Sequence, residues 1–179
     1  MVGKVNGKTP RIDPSAFVAP GAVVLGDVEL GPEASVWYGA VLRADINWIR
    51  VGARTSLQDG TIIHVSHKGQ GTEVGKEVVV GHRVVLHSCT IGDNSLIGMG
   101  AVVLDQAKVG EWAVVAAGSV VAPGSEIPPY TMAMGVPAKP RRELSPQEAE
   151  AHRAPMLRYL RVMKCHQDPE MIVDFSQEP

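Results

Sequence analysis

The chain has 179 residues, 45% hydrophobic and 20% charged, with a formal net charge of −2. That is the size of one domain with appendages, long enough to bury a core. The charge offers no pull toward nucleic acid or an anionic membrane. No apolar run reaches the length of a membrane span or a signal segment, so a cytoplasmic location is expected. Nineteen glycines and 13 prolines stand against 4% aromatics, a balance that favours many short strands joined by turns over a helical bundle.

Taken in chain order, aliphatic residues recur every six positions. A first series reads Val18, Val24, Leu30, Val36 and Leu42. The phase slips within "LRADINWIRVG" and resumes as Val51, Leu57 and Ile63. It slips again within "IHVSHKGQGTEVGKE", where "SHKGQG" is polar and turn-like and is expected to form a short loop. The longest series then runs from Val79 through Val85, Ile91, Ile97, Val103, Val109, Val115 and Val121 to Ile127, ending at Ala133. A period of six is neither the 3.6 of a helix nor the 2 of a hairpin strand. It fits a hexapeptide β-helix, in which each short strand supplies one inward aliphatic residue. Turn-forming stretches such as "TIGDNS" and "VAPGSE" make the corners. Three hexapeptides close one triangular coil, so residues 8–142 predict about seven coils in an all-β prism roughly 30–35 Å tall. A β-sandwich gives no reason for such a register.

Beyond residue 142 the pattern becomes helical over 145–166. Ser145 is an expected N-cap with Pro146 at the first position and Glu148 at the third, and Pro155 is expected to kink or restart the helix. Met156, Leu157, Leu160, Met163 and Cys165 are expected to cover one side of the prism. The closing "MIVDFSQEP" is expected to be partly disordered or to dock on a neighbour.

Polar residues gather beside the two phase slips: Arg43, Asp45, Gln58, Asp59, His64, His67, His82 and His87. Irregularity in a regular scaffold is where function is expected. His64 and His82 are separated by one coil length, which predicts that they stack. His87 follows His82 too soon to return to the same corner. A site within one subunit is therefore awkward, whereas His64 and His87 of one chain could meet His82 of another in a three-fold assembly. Three imidazoles suit Zn²⁺, and also Fe²⁺ or Co²⁺, and leave a position for water. Hydrogen-bonded interfacial histidines, or a single catalytic base, remain open alternatives at this point. His67 falls in the expected loop and reads as solvent-exposed. Cys89 and Cys165 form no CxxC pattern and read as reduced thiols, Cys89 as a small core residue.

The segments "LRAD", "IRVGARTSLQDGTIIHV", "VGHRVVLHSCTIGDNSLIGMGAVV", "VAAGSVV" and "MGVPAK" resemble the gamma-class carbonic anhydrases, which are left-handed parallel β-helix proteins. The resemblance implies metal-dependent hydration of carbon dioxide in a homotrimer. It also implies His64, His82 and His87 as the metal ligands, His82 coming from the adjacent subunit. By the same resemblance Gln58 holds the reacting solvent, Arg43 and Asp45 form an intersubunit ion pair, and Asp59 is a supporting acid. The chain departs from the best-studied pattern. Ile46 stands where some members carry glutamate, and the loop after His64 lacks a shuttle carboxylate. His67 could replace it, because an imidazole can carry a proton at neutral pH. Two other functions fit parts of the pattern: an acyltransferase using acetyl-CoA with His87 as base, and a non-catalytic metal-binding trimeric scaffold.

Overall fold

The computed structural model describes residues 1–168, 170 and 171. Of the closing stretch only Met171 falls within them, so the expectation for "MIVDFSQEP" otherwise lies outside the described residues.

The chain winds into a parallel β-solenoid of about seven turns, followed by a helical segment. Each turn has three faces. On the first, the strands from Phe17–Val18 to Thr131–Gly135 stack in parallel, and Ala138–Glu143 closes the stack as an antiparallel hairpin arm. The second and third faces merge into one bent sheet, because strands Val23–Leu30 and Val41–Val51 run unbroken around the corner between them. At that bend Gly26 has φ +82°, and a Cβ there would stand 2.0 Å from the Ala44 carbonyl oxygen. Only glycine lets the two backbones meet so closely. Val2–Gly3 adds a further parallel strand before the predicted start of the repeat.

The core is a column of fully buried aliphatics, among them Val24, Val36, Leu42, Leu57, Ile63, Leu86, Ile97, Val103, Val115 and Val121. One prediction needs correcting. Val79 and Val85 do not belong to the inward series; Val80 and Leu86 point into the core, and Val85 lies on the outer surface of its strand. The series from Ile91 onward is inward as predicted. "VVV" at 78–80 and "VVL" at 84–86 are apolar in both phases, so periodicity could not choose between them. The phase changes at Ser88, whose φ of 45° tightens the corner by one residue.

The three outer surfaces differ. The second face presents Val23, Val41, Ile62, Val85, Val102 and Val120 as consecutive register partners, an apolar ladder. The third presents Arg11, Glu29, Arg50, Glu73, Thr90, Lys108 and Glu126, nearly alternating in sign. Arg50 bridges Glu29 at 2.9 Å and Lys108 bridges Glu126 at 3.1 Å. Such pairs contribute little each in water, but they mark a face built to meet solvent.

The first face is covered by helices. Helix α1, Pro146–Ala151, has the predicted reciprocal cap between Ser145 and Glu148. Arg142 and the Ser145 backbone hold the Glu148 carboxyl down at about 2. Helix α2, Ala154–Gln167, restarts around Pro155 as expected. The break is tied to the solenoid by Arg153, which pairs at 2.5 Å with the buried Glu77, a carboxylate also paired with Arg54. Met156 and Met163 are buried, and Met163 packs with Phe17, Ala19 and Trp37. Leu157, expected to cover the prism, instead faces outward at 48% exposure.

Leu86 lies between Ile63 and Val103 in the core column. Truncation to alanine is expected to cost about 2–5 kcal/mol, measured as a lowered urea midpoint at fixed protein concentration. A change below about 1 kcal/mol is incompatible with this inward phase.

Candidate metal centre

The apolar second face has polar groups along both edges. Strands Ile62–His64 and Val85–His87 are parallel neighbours, and His64 and His87 are direct register partners at their ends. Side chains two residues apart on a strand share a face, so both imidazoles stand on the surface that carries Ile62 and Val85. Their rings lie 5.2 Å apart, with His64 Nδ1 facing His87 Nε2 at 3.2 Å.

The outer nitrogens of this pair are held by carboxylates. His64 Nε2 lies 3.0 Å from Asp45 Oδ1, and Arg43 pairs with the other oxygen of Asp45. His87 Nδ1 lies 2.9 Å from Asp105 Oδ2, while Ser66 Oγ donates to Asp105 Oδ1. Burial works against the charge on Asp45, but hydrogen bonds from His64 and Arg43 outweigh it and hold its carboxyl below the usual range. The Ser66 hydroxyl, helped by His87, does the same for Asp105. Two ionised carboxylates can only accept hydrogen bonds, so each histidine turns an N–H outward. The two nitrogens that face each other then both present lone pairs. A positive charge is needed between them, a shared proton or a cation. The N···N separation of two ligands on a tetrahedral zinc with bonds of about 2.0–2.1 Å is about 3.3 Å, close to the observed 3.2 Å.

His82 stands at the opposite edge of the same face. Its Nδ1 lies 2.9 Å from Asp59 Oδ2, and its Nε2 accepts from Tyr159 of α2 at 3.3 Å. Burial, with the Asp59 charge, pushes the Tyr159 hydroxyl up. The buried Gln58 lines the same cleft, with Trp37, Tyr38 and His166; Tyr38 and His166 are hydrogen-bonded at 2.7 Å.

The predicted residues thus fall into two groups. His64, His87, Arg43 and Asp45 share one edge, and Gln58, Asp59 and His82 share the other. Among the described residues, no three His, Cys, Asp or Glu side chains come together to hold an ion. The expected stacking of His64 on His82 is corrected: His64 stacks on His87, 23 residues on. A regular coil here takes 18 residues, as from Lys108 to Glu126. The loop after His64 adds the remainder and carries the register past His82. Arg43 and Asp45, implied as an intersubunit pair, bond to each other within one chain. His67 is exposed in the loop, as expected, beside a cleft that Asp45, Ile46 and Lys8 also line.

Asp105, Ser66 and Tyr159 escaped sequence reasoning. Asp105 had a signal, since it lies 18 residues after His87, one coil further on at the same corner. Ser66 belongs to the irregular loop, and Tyr159 lies on a helix whose docking no repeat encodes.

The fold and these corners define a hexapeptide-repeat solenoid protein. Residues 88–123 match the family model described as bacterial transferase hexapeptide (six repeats). Over 151 residues the chain is 49% identical to a probable carbonic anhydrase of Methanocaldococcus jannaschii, covering 84% of this chain and 94% of the relative. It is 45% identical over 145 residues to a carbonic anhydrase of Geobacillus kaustophilus, covering 81% and 79%. The match to the mitochondrial gamma carbonic anhydrase 2 of Arabidopsis thaliana, 42% identical, spans 80% of this chain but only 54% of that longer protein. The solved structure of a putative acetyltransferase from Bacillus cereus superposes with a TM-score of 0.92 at 37% identity, over 95% of this chain and 98% of that one. The chain belongs to the gamma carbonic anhydrase family of hexapeptide-repeat proteins.

Cys89 is a core residue, as expected. It is 1% exposed, and burial pushes its thiol up to about 12. Both thiols are free, and Cys165 is partly exposed. Alkylation requires the thiolate. Iodoacetamide at pH 8 is therefore expected to label Cys165 alone in the native protein and both thiols after denaturation, read by intact mass. Native labelling of Cys89 would contradict its inward placement.

Proposed function

We propose that this chain catalyses the reversible hydration of carbon dioxide to bicarbonate at a divalent metal ion, Zn²⁺ or alternatively Fe²⁺ or Co²⁺. The ion is shared between subunits of a homotrimer. One observation carries the reading: each of the three histidines has one ring nitrogen on a carboxylate and offers the other as a lone pair. That is the arrangement of metal-ligating histidines.

The apolar ladder explains how the halves meet. A continuous apolar face edged by polar groups is an association surface. A rotation that closes into a ring brings one edge of each copy against the other edge of the next. His64 and His87 then face His82 of the partner subunit. The Tyr159 hydroxyl on His82 gives way to the ion in this arrangement.

A bound divalent cation supplies Lewis acidity and makes water nucleophilic at neutral pH. The chain's own residues do the rest. Asp45, Asp105 and Asp59 keep the imidazoles in the tautomers that present lone pairs. Arg43 keeps Asp45 ionised. Gln58, at the His82 edge, orients the reacting solvent and offers its amide to the developing oxygen charge. Proton export falls to the exposed His67, since Ile46 cannot carry a proton.

The likeness to the solved putative acetyltransferase of Bacillus cereus favours a second reading, acyl transfer from acetyl-CoA. That chemistry needs one base, for which His87 would serve, and leaves the other two carboxylate-anchored histidines unused.

Stopped-flow CO₂ hydration on protein loaded anaerobically with Zn²⁺ or Fe²⁺ is expected to be fast and to vanish with chelator. Full metal occupancy without hydration moves the assignment to a metal-binding scaffold. Metal-independent acetyl transfer moves it to the acyltransferase. A subunit-mixing experiment tests the shared site. His82→Ala and His87→Ala trimers are each expected to be inactive. Refolded together in equal amounts, they should regain about a quarter of wild-type activity, the random fraction of interfaces joining an intact His64–His87 edge to an intact His82 edge. No recovery in confirmed mixed trimers rules out a site divided this way.

A further inference from the structure

We propose that Ser66 and Asp105 form a clamp that fixes the His87 imidazole as a metal ligand, making Asp105 a positioning residue for the centre. The inference rests on the metal reading above.

The geometry is specific. Asp105 stands one coil beyond His87 at the same corner, and its Oδ2 takes the His87 Nδ1–H at 2.9 Å. Its other oxygen is occupied by the Ser66 hydroxyl, so the carboxylate cannot rotate without losing a bond. Ser66 is itself braced. Its backbone N–H donates to Ser88 Oγ at 2.6 Å, and its carbonyl accepts from Asn47 Nδ2 at 3.1 Å. The backbone under the carboxylate is tied as well: the Asp105 carbonyl accepts from Gly124 N at 2.9 Å, and Gln106 N donates to the Ser88 carbonyl at 2.7 Å. The clamp therefore spans three coils and meets at a single ring nitrogen.

The consequence is a choice of tautomer. An imidazole in water favours the Nε2–H form only slightly, and which nitrogen carries the proton is decided by the hydrogen bond the other makes. With Nδ1–H committed to Asp105, Nε2 is left bare and aimed at His64 Nδ1. Without the clamp, the ring can turn or place its proton on Nε2, and the metal must then displace that proton and restore the orientation. This also gives the loop after His64 a role unrelated to proton transfer. Its extra residues let Ser66 cross to a carboxylate 39 positions away in sequence.

The test uses the full-length trimer in four forms: wild type, Asp105→Ala, Asp105→Asn and Asp93→Ala. Asp93 is a carboxylate at a different corner, paired with Lys76. Zinc affinity is measured by chelator competition. The His87 tautomer is read from nitrogen-15 shifts of the metal-free protein, assigned with His87→Gln. Wild type is expected to show His87 as Nδ1–H. Asp105→Ala should give a tautomer mixture and bind zinc about 10–100-fold more weakly. Asp105→Asn, which can still accept through its amide oxygen, should fall between, and Asp93→Ala should match wild type. Zinc binding by Asp105→Ala within two-fold of wild type, or an unchanged His87 tautomer, overturns the clamp while leaving the metal reading intact. A wild-type trimer that binds no divalent ion overturns both. Asp105→Ala that fails to assemble passes the decision to Asp105→Asn, where unchanged tautomer and affinity with Ser66→Ala alongside also overturn it.

Discussion

Parallel strand register is the constraint on which the rest of this molecule depends. In a solenoid every strand is bonded to the same position one coil above and below, and the column of inward aliphatics allows no half-step. A slip of one residue would turn the core face of a strand outward. The chain must therefore return to the same phase after each circuit, whatever is inserted between. The loop after His64 obeys this rule. It lengthens one coil, yet Ile62, Ile63 and His64 still meet Val85, Leu86 and His87 in register. The stacked imidazoles follow from that return. Their facing distance is set by strand spacing and anchored from outside by two carboxylates.

Because the register is rigid, the three outer surfaces could diverge without affecting the core. One is closed by α1 and α2, with Phe17, Trp37 and Met163 as the seal. One carries the ladder of mixed charge from Arg11 to Glu126 and suits water. The remaining one, the second face, is apolar along six coils and uncovered in a single chain. His64 and His87 sit on one of its borders and His82 on the other. In the proposed trimer, function and association would share this one face.

Much of this was legible in the sequence, and the misses have physical causes. The period of six is a direct print of the coil, so the fold, the corners and the reciprocal cap at Ser145 could be read. The separation of His82 from His87 also followed from counting, since five residues cannot complete a circuit. Phase failed at Val79 and Val85, where an apolar outer face copies the signal of the core. Stacking failed at His82, because loop length adds to sequence distance but not to register. Asp105 went unread because its role depends on His87, its neighbour one coil below. Leu157 was misplaced because the angle at which α2 crosses the solenoid depends on Pro155 and the Arg153–Glu77 anchor, which no period encodes.

The paired lone pairs of His64 and His87 bear on assembly as well as on chemistry. Two acceptors aimed at one point repel unless a charge lies between them. In the proposed trimer a third acceptor, His82 of the partner subunit, would add to the repulsion if the interface closed without the cation. In the proposed trimer, metal and subunit association are therefore linked: each ion favours the closed ring, and the closed ring raises affinity for the ion. The apolar ladder must then be strong enough to hold the subunits while the site is empty. Its extension over six coils, well beyond the two that carry His64 and His87, is consistent with that demand.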